Sequence, residues 1–145
     1  LEGGQSKKLK KQTKNLSYKN NLSRMESNSI KPDYIENVSE PWFTLISLGL
    51  KTVEGRKNKG RFKDMKIGDT VQWTNNDFGL RTVLTEITGK SEYPTFQEYL
   101  ETEGLDKCLP GIKDIETGLN VYFKYFTKQD EKDFGVVAIK LKLIN

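Results

Sequence analysis

The chain has 145 residues, enough for one domain and a tail, and contains one cysteine and no histidine. Cys108 alone excludes an internal disulfide, and the lack of His excludes Cys/His zinc sites and the usual triad base. The net charge of +4 is uneven: residues 1–31 hold eight basic groups and two acids, a net of +6, which leaves −2 on residues 32–145. Charge alone therefore does not make the folded part a generic polyanion binder.

Residues 1–32 read as a basic, disordered tail. "SKKLKKQTKNLSYKNNLSR" has no apolar periodicity and cannot bury enough surface to offset the entropy of ordering it. The opening "LEGGQS" has the look of a cloning remnant, and Met25 that of an original start. The tail is expected to add only sequence-independent, salt-sensitive contacts to nucleic acid.

Residues 33–145 read as one domain. "DYIENV" begins it with a short strand from Tyr34 to Val38. Ser39 is the expected N-cap of a helix that tolerates Pro41 in its first turn, with Trp42, Leu45 and Ile46 at helical spacing and Gly49 as the stop. "KTVEGR" is extended, and "GRKNKGR" (Gly55 to Arg61) is a basic loop able to meet phosphates. Gly68-Asp69 is a turn before a strand through Thr70, Val71, Gln72 and Trp73, and "LRTVLTEITG" is a further strand.

Thr95 and Glu98 have capping-box spacing, with Phe96 and Leu100 on one face and Gly104 as terminator. Ile115, Leu119, Tyr122, Phe123 and Phe126 form an amphipathic helical stripe, and Thr127 caps a short charged helix through Lys132. "GVVAIKLKLI" is a last, core strand. The order predicts an α+β domain with a small, strongly curved sheet or barrel. No apolar run is long enough to span a membrane and no signal-peptide core is visible, so an intracellular monomer, cytoplasmic or nuclear, is expected.

Lys51, Glu54 and Arg56 raise the question of function. In a strand Glu54 and Arg56 share a face, whereas Lys51, just past a helix end, is free of strict alternation. They could be exposed ion pairs worth under about 1 kcal/mol. We expect them to face inward, so that Lys51→Ala spares the fold and weakens ligand binding. Trp42 is a candidate for stacking on a base. Trp73, Phe123 and Phe126 are expected in the core, with Tyr122 or Tyr125 as a cleft wall. Cys108 has no base near it in sequence and is not expected to be catalytic.

"PWFTLISLGLKTVEGR" followed by "KIGDTVQW" resembles the ASCH domain, a member of the PUA-like superfamily, in its aromatic helix, Gly-x-Lys, Glu-x-Arg and Gly-Asp turn. The stretch "EGLDKCLPGIKDIETGLNVYFKYFTKQDEKDFGVVAIKL" is similar to the family's usual ending. The resemblance implies a small PUA-like β-barrel flanked by helices. It also implies a cleft for RNA or a modified nucleoside, lined by Lys51, Glu54, Arg56, Trp42 and Tyr122. One branch of the family consists of acetylcytidine amidohydrolases, in which a lysine, a threonine three residues later and a glutamate in a later helix are implied to do the chemistry. Lys51 matches the lysine, and Glu103, or in a competing alignment Glu101, matches the glutamate. Glu54 stands where the threonine is expected. The expected function is thus RNA or nucleoside binding. The alternatives are an amidohydrolase acting on an acylated pyrimidine nucleoside and a coactivator-like protein-interaction module. No metal or cofactor is expected.

Overall fold

The computed structural model describes residues 31–144; the basic tail and its expected nucleic-acid contacts lie almost wholly outside them. Five strands, β1 (Tyr34–Asn37), β2 (Val53–Lys57), β3 (Thr70–Asn75), β4 (Arg81–Tyr93) and β5 (Val136–Leu143), form one mixed sheet in the order β1-β3-β4-β5-β2. β1 runs parallel to β3, and the other pairs are antiparallel. The sheet curls into a half-barrel, so the fold is α+β as expected. β1 and β2 are its edges.

The helices are α1 (Trp42–Ser47), α2 (Arg61–Asp64), α3 (Phe96–Glu103), α4 (Leu105–Cys108), α5 (Ile115–Tyr122) and α6 (Lys128–Phe134). The buried run Val136 to Ile139 marks β5 as a central strand covered on both faces. In β3 burial alternates instead, with Val71 and Trp73 inward. Trp73 is wholly buried and donates its indole N–H to Thr85 Oγ1 at 2.9 Å, as a core tryptophan must. An aromatic cluster joins α3 to α5: Phe96 stacks on Tyr122 at 4.7 Å, and Tyr99 meets Tyr122 edge-on at 5.5 Å. Phe123 and Phe126 are half-buried and pack against this core.

Several local expectations need correction. Ser39 does not cap α1. The helix starts at Trp42 after Pro41 without a side-chain cap, and Glu40 Oε1 accepts from the Thr44 N–H at 3.0 Å instead. Ser39 Oγ is engaged with Tyr125 Oη at 3.1 Å. β4 does not stop at Gly89 but runs through a register shift there to Tyr93. A Cβ on Gly89 would lie 2.7 Å from Lys140 Cδ, so this glycine allows close strand approach and does not end the strand. Of the expected basic loop, Gly55 to Lys57 belong to β2 and Arg61 opens α2, and α4 was not anticipated. The helical stripe ends at Tyr122, beyond which Lys124 and Tyr125 bond three residues back in tighter turns. Thr127 does cap α6, with a full capping box to Asp130, and that helix extends to Phe134.

Candidate functional site

Arg56 brings the two sheet edges together. It lies on β2, and its Nη2 donates to the Asn37 carbonyl at the end of β1, 2.8 Å away. Its Nε donates to Glu54 Oε2 at 2.6 Å, because residues two apart on a strand share a face. The guanidinium also lies over the rings of Phe62 (4.7 Å) and Trp73 (5.6 Å). The barrel is thus closed here by a side chain where no backbone ladder joins β1 to β2. A cleft of about 360 Å³ occupies that seam.

Lys51, Glu54, Arg56, Trp42 and Tyr122 all line this cleft, so the five expected ligand-binding residues converge. The three charges are not a solvated ladder: Lys51 is 2% and Glu54 6% exposed. Lys51 Nζ lies 3.1 Å from Glu54 Oε1 and donates to the Val53 carbonyl at 2.7 Å and to the Cys108 carbonyl. These three acceptors match the three donors of an ammonium group. The Cys108 carbonyl ends α4, so Lys51 fastens the start of β2 to that helix. The neighbouring Thr52 N–H helps by donating to Lys107 O at 3.1 Å. On this geometry Lys51→Ala is expected to destabilise the fold as well as the cleft.

Burial opposes ionisation of Glu54, but the charges and hydrogen bonds of Lys51 and Arg56 outweigh it, so its carboxyl titrates below the ordinary glutamate value. The floor of the cleft is therefore a fixed, ionised carboxylate. Trp42, Tyr122, Tyr125 and Phe126 give it aromatic walls, with Lys51 Nζ 5.9 Å from the Trp42 ring centroid. Burial raises the Tyr122 phenol well above its usual value, and Glu54 adds to that, so it stays neutral, bonded to Tyr99 Oη at 2.7 Å. Gly55 permits this arrangement: a Cβ there would lie 2.4 Å from Tyr99 Cζ.

Glu103 is not part of the cleft. It accepts from Tyr93 Oη at 2.5 Å, and its Oε1 is 4.0 Å from Lys140 Nζ. The competing Glu101 is exposed and accepts from Gln97 at 3.1 Å. Cys108 is buried, and burial pushes its thiol up to about 11. Of the charged lining residues, sequence reasoning missed Glu36 and placed Arg61 only at the end of a basic loop able to meet phosphates. Arg61 grips Glu36 with two hydrogen bonds, Nε to Oε2 at 2.6 Å and Nη2 to Oε1 at 2.9 Å. The alternation of β1, which turns Tyr34 and Glu36 to the same side, was the one available signal. Among the described residues no cluster of three or more His, Cys, Asp or Glu could hold a metal. No helix among them is long and apolar enough to cross a membrane.

A curled α+β half-barrel with a charged, aromatic-walled seam defines a small PUA-like domain. The chain belongs to the ASCH domain family, whose model matches residues 37–145. The hypothetical protein PH0355, known from a crystal structure, is similar to it at 32% identity, over 77% of this chain and 98% of that one, with a TM-score of 0.70. Protein PF0455 from Pyrococcus furiosus, solved by NMR in solution, is 31% identical over 77% of this chain and 97% of its own, with a TM-score of 0.64. A serine-to-alanine mutant of ZmASCH from Zymomonas mobilis shares the fold at 13% identity, covering 79% of this chain and 77% of that one, with a TM-score of 0.52. No curated protein matches the chain.

Proposed function

We propose that the domain binds a base of RNA, or a modified nucleoside, in the seam between β1 and β2. The observation that carries this reading is the ionised Glu54, held by Lys51 and Arg56 at the floor of an aromatic-walled cleft. An ionised carboxylate only accepts hydrogen bonds, and two of its four lone-pair directions are taken. It would therefore select a base that presents N–H donors, such as the amine of cytosine or adenine or the N1–H and N2 amine of guanine. The volume lies in the usual range of small-ligand sites. Trp42 offers the cleft a flat ring, whereas Phe96 already covers one face of Tyr122, and stacking on a base is worth about 1–3 kcal/mol.

The geometry favours binding over hydrolysis. A lysine-centred amidohydrolase needs Lys51 Nζ free to take or give a proton at the substrate, and all three of its donors are engaged within the protein. Glu103, the carboxylate such a mechanism would use, faces Tyr93. The test is to titrate the full chain with nucleosides and short RNAs while following tryptophan fluorescence, and to incubate it with acetylcytidine while following deacetylation. Saturable binding without turnover, weakened in Trp42→Ala, is the expected result. Turnover would restore the hydrolase reading, and neither activity would leave the protein-interaction reading.

A further inference from the structure

We propose that the ligand of this cleft carries a phosphate, and that Arg56 and Arg61 form its anion subsite. The inference rests on the base-binding reading and adds the ligand class: a nucleotide, free or within a strand. Both guanidinium groups line the cleft, and both are anchored on consecutive residues of β1, Arg61 on the Glu36 carboxylate and Arg56 on the Asn37 carbonyl. Both guanidinium groups therefore open on the one cleft.

Each fork is held rigid by a buried carboxylate. Glu36 is 5% exposed and Glu54 6%, whereas the Arg61 and Arg56 side chains are 42% and 21% exposed. Each arginine spends Nε and one bond from Nη2 on its anchors. Among the described residues no hydrogen bond occupies Nη1 of either. At least two N–H groups per arginine therefore remain for a ligand. Two pre-oriented, half-exposed guanidinium edges match the tetrahedral oxygens of a phosphate far better than a neutral sugar. A plain ion pair would need only one cation per carboxylate. Here Lys51 already serves Glu54, so the group of three cations and two carboxylates lining the cleft retains one positive charge before a ligand enters.

The experiment compares the affinities of the full chain for a nucleoside, its 5′-monophosphate and a tetranucleotide of the same base, by calorimetry at fixed salt. The monophosphate is expected to bind roughly ten- to a hundredfold tighter than the nucleoside, the worth of one charge-assisted hydrogen-bond set. Inorganic phosphate should compete with the monophosphate and not with the nucleoside. In the paired variant Glu36→Gln/Arg61→Gln, which removes both charges together and leaves Arg56 in place, that preference should fall by about threefold or more. If the paired variant does not fold, the phosphate competition in the unaltered protein decides alone. A tetranucleotide tighter than the monophosphate assigns the phosphate to an RNA strand, and the reverse assigns it to a free nucleotide; both support the subsite. Equal affinity for nucleoside and monophosphate overturns the subsite and leaves base binding standing. No binding of any of the three overturns both.

Discussion

Replacing Lys51 by Met keeps the aliphatic stem and removes the ammonium, which isolates its electrostatic contribution. In the folded protein that ammonium faces Glu54 at 3.1 Å and two backbone carbonyls, in a position 2% exposed. Its loss leaves Glu54 ionised with Arg56 as its only cation, and removes the tie between β2 and the end of α4. Breaking a buried pair by deleting one partner costs about 3–5 kcal/mol. Arg56 remains 2.6 Å from Glu54, so the lower part of that range, about 3 kcal/mol, is expected. Against a typical domain stability of about 5–15 kcal/mol this is a large fraction. Urea unfolding followed by tryptophan fluorescence measures it. Lys51→Met/Glu54→Gln should recover about 1–2 kcal/mol of the loss, because no unpaired carboxylate is then buried. A Lys51→Met protein within about 1 kcal/mol of the unaltered one would refute the assignment of Lys51 as a buried fastening.

Gly55→Ala should cost about 1–3 kcal/mol, since its Cβ would come 2.4 Å from the buried Tyr99 ring and force it off Tyr122; thermal unfolding checks this. Glu54 titrates below the ordinary glutamate value when folded, so its contribution is fully present above about pH 4.5 and is lost as pH falls through the lower folded value. The urea midpoint should therefore drop on the acid side, and Glu54→Gln should flatten that limb. Glu103→Gln should leave ligand affinity within about twofold, because the residue meets Tyr93 outside the cleft; a larger loss in calorimetry would bring it back into the site. Cys108, buried with its thiol raised to about 11, should resist iodoacetamide at neutral pH in the native state and react once the chain is unfolded.

The inward direction of Lys51, Glu54 and Arg56 was legible because strand alternation pairs Glu54 with Arg56 and the resemblance named the segment. What Lys51 touches was not legible. Its carbonyl partner Cys108 is 57 residues away, brought near only by α4, a four-residue helix with no sequence pattern of its own. The Arg61–Glu36 pair was hidden for the same reason, its partners standing 25 positions apart. Gly89 shows the converse case, in which a local rule misled: a glycine after a β-branched run reads as a stop until the Lys140 stem is seen lying across it. Local chemistry predicted elements, and long-range contacts decided which of their charges share a site.

The seam shows why the same residues hold the fold and line the cleft. A sheet whose edge strands bonded along their whole length would leave no opening, and one with bare edges would invite pairing with another chain. Among the described residues Arg56 bridges the edges, from Glu54 on β2 to the Asn37 carbonyl on β1. One long side chain spans the seam, and among the described residues its Nη1 makes no hydrogen bond. The charges that close the barrel must be buried to hold their geometry, and a buried carboxylate is tolerated only when cations surround it. That requirement puts Lys51 and Arg56 around Glu54 whether or not a ligand is present. The cleft is thus pre-organised by the needs of folding, and a ligand that satisfies the remaining donors and acceptors need order little further protein to bind.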